Sequence, residues 1–236
     1  MAAVEAAVDA AVEAAVDAAV DAAVDAAVEA VVFDFGGVLI SPIVEKVAVL
    51  AERRNTTMHE LLHVLLGPRD SGPDHPWHRC ERGEIAVADI QGLLDPWAAE
   101  AGITLHGDEI DVLLEGGYRV LTDVIDRVDA LRAAGYRTGL LTNTFLEFRE
   151  TMDADIGFHR FDVVVESFAV GARKPEPAIY EATAAMLGVA HERIVYLDDF
   201  DQNLEPATAL GWRTIHVTGP EQSLAALDEL APIPRR

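Results

Sequence analysis

The sequence predicts an α/β fold: a doubly wound, Rossmann-like parallel sheet into which a helical subdomain is inserted. Three observations predict it. Short apolar runs alternate with helical patterns from residue 117 onward, polar residues collect where those runs end, and a long stretch of helical character separates the first run from the others.

The expected strands are 30–33, 136–141, 161–165, 193–197 and 213–217, each apolar and bounded by charged or glycine-containing segments. A helical pattern at 120–134 leads into the second strand, and those at 145–153, 175–187 and 203–210 separate the last four. Strand and helix alternating in this way imply right-handed βαβ units and a parallel sheet. Residues 30–41 and 117–236 are therefore expected to form the core. Residues 42–116 are too long for an ordinary βα connection. Their helical patterns at 44–53, 58–66, 87–101 and 108–114, broken by a Gly/Pro-rich stretch at 67–76, predict a subdomain over the C-terminal edge of the sheet. That edge is where open α/β folds bind ligands.

Residues 2–29 repeat the pattern Ala-Ala-Val-acid, with Glu5, Asp9, Glu13, Asp17, Asp21, Asp25 and Glu29 as the acids. Alanine favours helix, but carboxylates four residues apart repel, and a period of four lets the valines wind around a helix of 3.6 residues per turn. A marginal, solvated helix without a catalytic role is expected there.

Half of the 236 residues are apolar, enough for a sizeable core. Cys80 is the single cysteine, so an internal disulfide is excluded, and the N-terminus lacks the basic start and unbroken apolar core of a secretory signal. No apolar run approaches the ~20 residues of a membrane span. A soluble, cytoplasmic protein is expected. The formal charge is −23, and removing the seven acids of the repeat still leaves −16. Nucleic acid and anionic membrane need a concentrated basic face, which such a chain does not offer. A small anionic substrate remains compatible if its site is locally positive, because charges screen over ~8 Å at physiological salt.

Asp34 ends the first expected strand, Thr142 and Asn143 end the second, Lys174 lies in the loop after the third, and Asp198 and Asp199 end the fourth. Each alone has an ordinary explanation as a cap, a turn residue or a surface charge. Together they converge on one rim, where three acids would repel unless Lys174 and a cation balance them. The set suits one reaction. A carboxylate attacks phosphorus, a metal and a lysine neutralise the equatorial oxygens, and backbone N–H groups with a threonine hydroxyl hold those oxygens. Oxygen donors without Cys or His at ligand spacing favour Mg²⁺ over Zn²⁺. Gly36 and Gly37 permit close backbone approach to the phosphate.

The segments Phe33-Asp34-Phe35-Gly36-Gly37-Val38-Leu39, Leu140-Leu141-Thr142-Asn143-Thr144, Arg173-Lys174-Pro175-Glu176-Pro177 and Tyr196-Leu197-Asp198-Asp199 resemble, in order and separation, the four motifs of the haloacid dehalogenase superfamily. Within it the likeness is to the phosphatase domain of soluble epoxide hydrolase and to bacterial sugar-phosphate phosphatases. Glu81-Arg82-Gly83-Glu84-Ile85 is similar to part of their helical cap. The resemblance implies a phosphatase acting on a small phosphorylated metabolite with Mg²⁺. It makes Asp34 the nucleophile and a metal ligand, with the Gly36 carbonyl and Asp199 as further ligands and Asp198 behind them or acting through water. It makes Thr142 and the Asn143 backbone the phosphoryl holders, and Lys174 a bridge between the phosphoryl group and Asp34. Asn203 stands where many relatives have a further acid. Gly36 stands where many phosphatases of the superfamily have a second Asp, which protonates the leaving group. The acid would then come from His75, His78, Glu81 or Glu84, or the substrate would carry a good leaving group, or activity would be weak. Arg79 and Arg82 are candidates for contact with a substrate anion. Two other readings stay open: a metal-independent 2-haloacid dehalogenase, and a catalytically weak domain kept for binding.

Overall fold

The computed structural model describes residues 27–42, 44–54, 56–67, 74–105 and 118–233. The repeat before residue 27, the expected helix at 108–114 and most of the break at 67–76 lie outside them. Among the described residues no helix is long and apolar enough to cross a membrane.

A five-stranded parallel sheet forms the core. In chain order, β1 (Ala30–Phe33) is followed by an insert of α1 (Val44–Arg53), α2 (Met58–Leu66), α3 (Pro76–Glu81) and α4 (Val87–Glu100). The chain then runs through α5 (Thr122–Ala133), β2 (Arg137–Thr142), α6 (Arg149–Ile156), β3 (Val163–Glu166), α7 (Ser167–Val170), α8 (Pro177–Leu187), β4 (Ile194–Asp198), α9 (Asp201–Ala209), β5 (Arg213–His216) and α10 (Pro220–Leu230). The strand order is β3-β2-β1-β4-β5. The central β1 pairs with β2 on one side and β4 on the other, Phe33 lying level with both Leu140 and Leu197.

Side-chain alternation explains the two layers. Val31 and Phe33 point into one apolar cluster with Val124, Val128, Met152 and Leu227, from α5, α6 and α10. Ala30 and Val32 point into the opposite cluster with Ile179, Tyr180, Leu187 and Ala207, from α8 and α9. A strand buried on both faces must be apolar throughout, as β1 is.

The insert has its own core. Leu61, Val64 and Leu65 of α2 pack with Ile90 and Leu94 of α4. The capping box of α2, in which Thr57 and Glu60 exchange hydrogen bonds, fixes where that helix starts. Entry to and exit from the insert run side by side: Ile40 bridges antiparallel to Val120, and Ser41 N–H donates to the Arg119 carbonyl at 2.8 Å.

Most expected elements fall within a few residues of the observed ones, and the differences have causes. Instead of one helix at 145–153, Phe145 is extended, a 3₁₀ turn covers Leu146–Phe148, and α6 then runs to Ile156. Phe145 leaves helical geometry because its ring is drawn into the insert's core, edge-on to Trp77 at 5.0 Å. Helix α8 begins at Pro177, not 175, because Glu176 is extended at the N-cap position and Pro177 takes the favourable first helical position. Helix α3 and the short α7 had no periodic signal of useful length, and α10 falls beyond the last expected strand.

Among the described residues, Phe145 is the one core-strand connection residue buried among the insert helices. Phe145→Ala should therefore cost about 3–5 kcal/mol, read by urea denaturation; a change within experimental error would show that the insert does not lean on it.

Candidate active site

The C-terminal ends of β1, β2 and β4 lie level because their registers are level. Asp34 follows Phe33 and its N–H donates to the Leu197 carbonyl at 2.9 Å, so it sits beside Asp198, the last residue of β4. Thr142 ends the neighbouring β2 and is buried. Its hydroxyl makes a long 3.4 Å contact with the Asn143 carbonyl, a weak use of a strong donor.

Lys174 joins this rim from the loop after β3 and is almost wholly buried. Its Nζ lies 2.7 Å from Asp34 Oδ1 and 2.8 Å from Asp198 Oδ2. Asn143 brackets the lysine backbone: Lys174 N–H donates to Asn143 Oδ1 at 2.8 Å, and Asn143 Nδ2 donates to the Lys174 carbonyl at 3.0 Å. Positioning Lys174 is thus a function of the Asn143 side chain that the sequence did not reveal, since it depends on a contact 31 residues away.

Asp198 is saturated. Besides Lys174 it accepts from the Tyr196 hydroxyl, from Phe200 N–H at 2.8 Å and from Asn203 Nδ2 at 3.1 Å to each oxygen. Asp199 is the opposite case, for its buried Oδ1 has no hydrogen-bond partner. A buried carboxylate oxygen without a partner is costly. Asp34, Asp198 and Asp199 each offer an oxygen within 4.8 Å of the others. Three hard oxygen donors, one of them orphaned, fit a small divalent cation such as Mg²⁺.

Gly37 makes this arrangement possible. Its φ is +70°, and a Cβ there would lie 2.1 Å from Asp199 Oδ2. The sequence suggested that this glycine serves approach to the phosphate; in the structure its missing side chain is the space Asp199 occupies. Gly36 lies in the same turn, two residues after Asp34.

Electrostatics follow from burial. Asp34 is pushed well above the usual carboxylate range by desolvation, an effect that Lys174 opposes and Asp198 and Asp199 reinforce. Asp199 is raised to about 7, mainly by burial and then by Asp198, with Lys174 acting against them. Burial opposes the charge on Lys174, but Asp198 and Asp34 outweigh it and its pKa rises. One ammonium faces three carboxylates, an imbalance that a divalent cation would offset.

The insert residues are placed differently from expectation. Glu81 is paired with Arg173 and accepts from Trp77 Nε1 at 3.0 Å. Glu84 takes Arg79 at 3.1 Å and Arg82 at 2.6 Å, and Arg82 also reaches Glu176 at 3.0 Å. Both arginines are therefore engaged in ion pairs within the protein. His75 is buried against Trp97 and His78, where desolvation lowers its pKa to about 4. None of these groups joins the Asp34 cluster.

The sequence model of the haloacid dehalogenase-like hydrolases matches residues 28–211. The chain is 31% identical over 208 residues to acyl-CoA dehydrogenase family member 10 of Mus musculus, covering 86% of this chain and 19% of that protein. It is 27% identical over 224 residues to bifunctional epoxide hydrolase 2 of Rattus norvegicus, covering 86% of this chain and 40% of that one. The chain thus spans less than half the length of either relative. A Bacteroides thetaiotaomicron HAD family enzyme, solved in complex with magnesium and inorganic phosphate, superposes with a TM-score of 0.60 at 19% identity, over 84% of this chain and 98% of that one.

Asp199, raised from 3.8 to about 7, makes the metal-free fold bind a proton that the unfolded chain releases. Its contribution to stability is complete below about pH 4 and is lost as pH rises through about 7. In EDTA the melting temperature should fall between pH 5 and 8. Asp199→Asn should flatten that slope, and Mg²⁺ should stabilise the wild type more at pH 8 than at pH 5. Identical slopes for the two proteins would contradict the assignment.

Proposed function

Because the chain belongs to the haloacid dehalogenase-like hydrolases, we propose that it is a Mg²⁺-dependent phosphohydrolase that cleaves a small phosphate monoester through an aspartyl-phosphate on Asp34. The observation that carries this reading is the buried contact of Asp34 with Lys174 beside the partnerless oxygen of Asp199. The magnesium and inorganic phosphate held by the Bacteroides neighbour agree with it.

Asp34, Asp199 and the Gly36 carbonyl would hold the metal, with Asp198 behind them. When bound, Mg²⁺ supplies positive charge that keeps Asp34 anionic and lessens the repulsion between carboxylate and phosphate. A carboxylate oxygen of Asp34 forms a bond to phosphorus as the ester P–O bond breaks. The Lys174 ammonium and the Thr142 hydroxyl, with the Asn143 N–H, hold the transferring phosphoryl oxygens. Water then attacks the phosphorus of the acyl phosphate, releasing inorganic phosphate and restoring Asp34. The helical insert, residues 42–116, serves as the cap that closes over the leaving group and selects it.

Gly36 brings no side chain to the leaving oxygen. Glu81 and Glu84 are occupied by arginines, His75 is enclosed by rings, and His78 is packed against the His75 ring at 5.2 Å. The reaction therefore favours esters whose leaving group departs without a proton. An aryl phosphate with a leaving-group pKa near 7 should exceed an alkyl phosphate in kcat/KM by about 10²–10⁴. Turnover of p-nitrophenyl phosphate should disappear with EDTA and in Asp34→Asn. Halide release from 2-chloropropionate that persists in EDTA, or unchanged turnover in the Asp34 variant, would refute the reading.

A further inference from the structure

The loop that carries Lys174 is held from two sides, and only one of them belongs to the sheet. On the inner side, Asn143 fixes the lysine backbone. On the outer side the loop closes on itself, Glu176 N–H donating to the Arg173 carbonyl at 2.7 Å and Arg173 N–H donating to Glu176 Oε2 at 3.1 Å. The two residues flanking Lys174–Pro175 are then gripped by two adjacent residues of the insert. Arg173 pairs with Glu81, and Glu176 pairs through Oε1 with Arg82 Nη1 at 3.0 Å.

The signs are crossed: acid 81 meets base 173, and base 82 meets acid 176. Swapping either contact for the other would set like charges together, so the pairing fixes one register. Glu81 and Arg173 are 8% and 13% exposed as side chains, so solvent screens that pair less than a surface one; Arg82 is 9% exposed but Glu176 36%, so the second pair is screened more. Glu81 is further anchored by Trp77 and Arg82 by Glu84. Gly83 completes the contact. With φ at +71°, a Cβ there would lie 2.8 Å from the Phe168 carbonyl of α7, the helix just upstream of the lysine loop. The insert turn and α7 thus meet backbone to backbone.

We infer that Glu81 and Arg82 of the insert are positioning residues for Lys174, acting through Arg173 and Glu176. The inference rests on the reading of Lys174 as a phosphoryl-facing group. A loop released on its outer side lets the ammonium drift from Asp34, and displacement of a reacting group by ~1 Å is worth about a hundredfold in rate.

The sequence offers a clean test, because Lys46 and Lys174 are its only lysines. Acetylation by an N-hydroxysuccinimide ester, quantified by peptide mass spectrometry, reports Lys174 accessibility against Lys46 as internal reference and needs no turnover. In Glu81→Gln and Arg82→Gln, relative Lys174 labelling should rise about tenfold through easier local opening. The kcat for p-nitrophenyl phosphate should fall about ten- to a hundredfold with KM moving far less. The charge-swapped pair Glu81→Arg with Arg173→Glu should recover part of both. Arg82→Lys keeps the charge with less of the geometry and should fall between. Lys174 labelling that stays at the wild-type ratio in these variants overturns the inference, whether kcat falls or not. If the wild type cleaves no phosphate ester, the functional reading fails while the labelling still decides the positioning.

Discussion

Three carboxylates gathered around one buried ammonium are the constraint on which the rest of this structure depends. At an effective dielectric of about 20, two unit charges ~5 Å apart repel by about 3 kcal/mol, and Asp34, Asp198 and Asp199 approach one another more closely than that. The arrangement survives because the three acids are treated differently. Asp198 is saturated by Lys174, Tyr196, Asn203 and a backbone N–H, and so serves as the fixed counter-charge of the lysine. Asp34 shares the same ammonium, while Asp199 keeps an oxygen without a partner. The unequal treatment gives three residues of one chemical type three different states: one saturated, one sharing the ammonium, and one with an oxygen left over.

The fold supplies the convergence. Parallel strands in level register end together, so residues at the ends of β1, β2 and β4 share one rim without any long-range adjustment. The lysine arrives from a loop and therefore needs external support, which Asn143 supplies from the sheet and the insert from outside. The insert is bound to the core at further points, through Phe145 in its apolar cluster and Val87 N–H donating to Glu147 at 3.3 Å. Its contacts reach the connections after both β2 and β3, the two that flank the site.

Much of this was legible in the sequence, and the illegible part has a common cause. The strands, the doubly wound order, the helical insert and the residues at strand ends could be read because each is a local pattern: an apolar run, a helical period, a polar residue at a run's end. The meaning of Gly37 could not, because its requirement comes from Asp199, distant in sequence and adjacent in space. The same holds for the Asn143 side chain, for Phe145 leaving its helix to enter the insert, and for Glu81 and Arg82. Those two stood out as polar residues on a cap-like stretch and were candidates for acid catalysis or substrate contact. Their partners, Arg173 and Glu176, lie some ninety residues on and convert them into internal ties.

The central claim is that the carboxylate of Asp34 becomes covalently phosphorylated. It is tested most directly by quenching the Mg²⁺-loaded protein during turnover of p-nitrophenyl phosphate, reducing it with borohydride and sequencing the peptide 30–41 by mass spectrometry. An acyl phosphate is reduced to the alcohol, so the account predicts homoserine at position 34, dependent on substrate. Aspartate recovered intact there, in enzyme that is turning over, would contradict it.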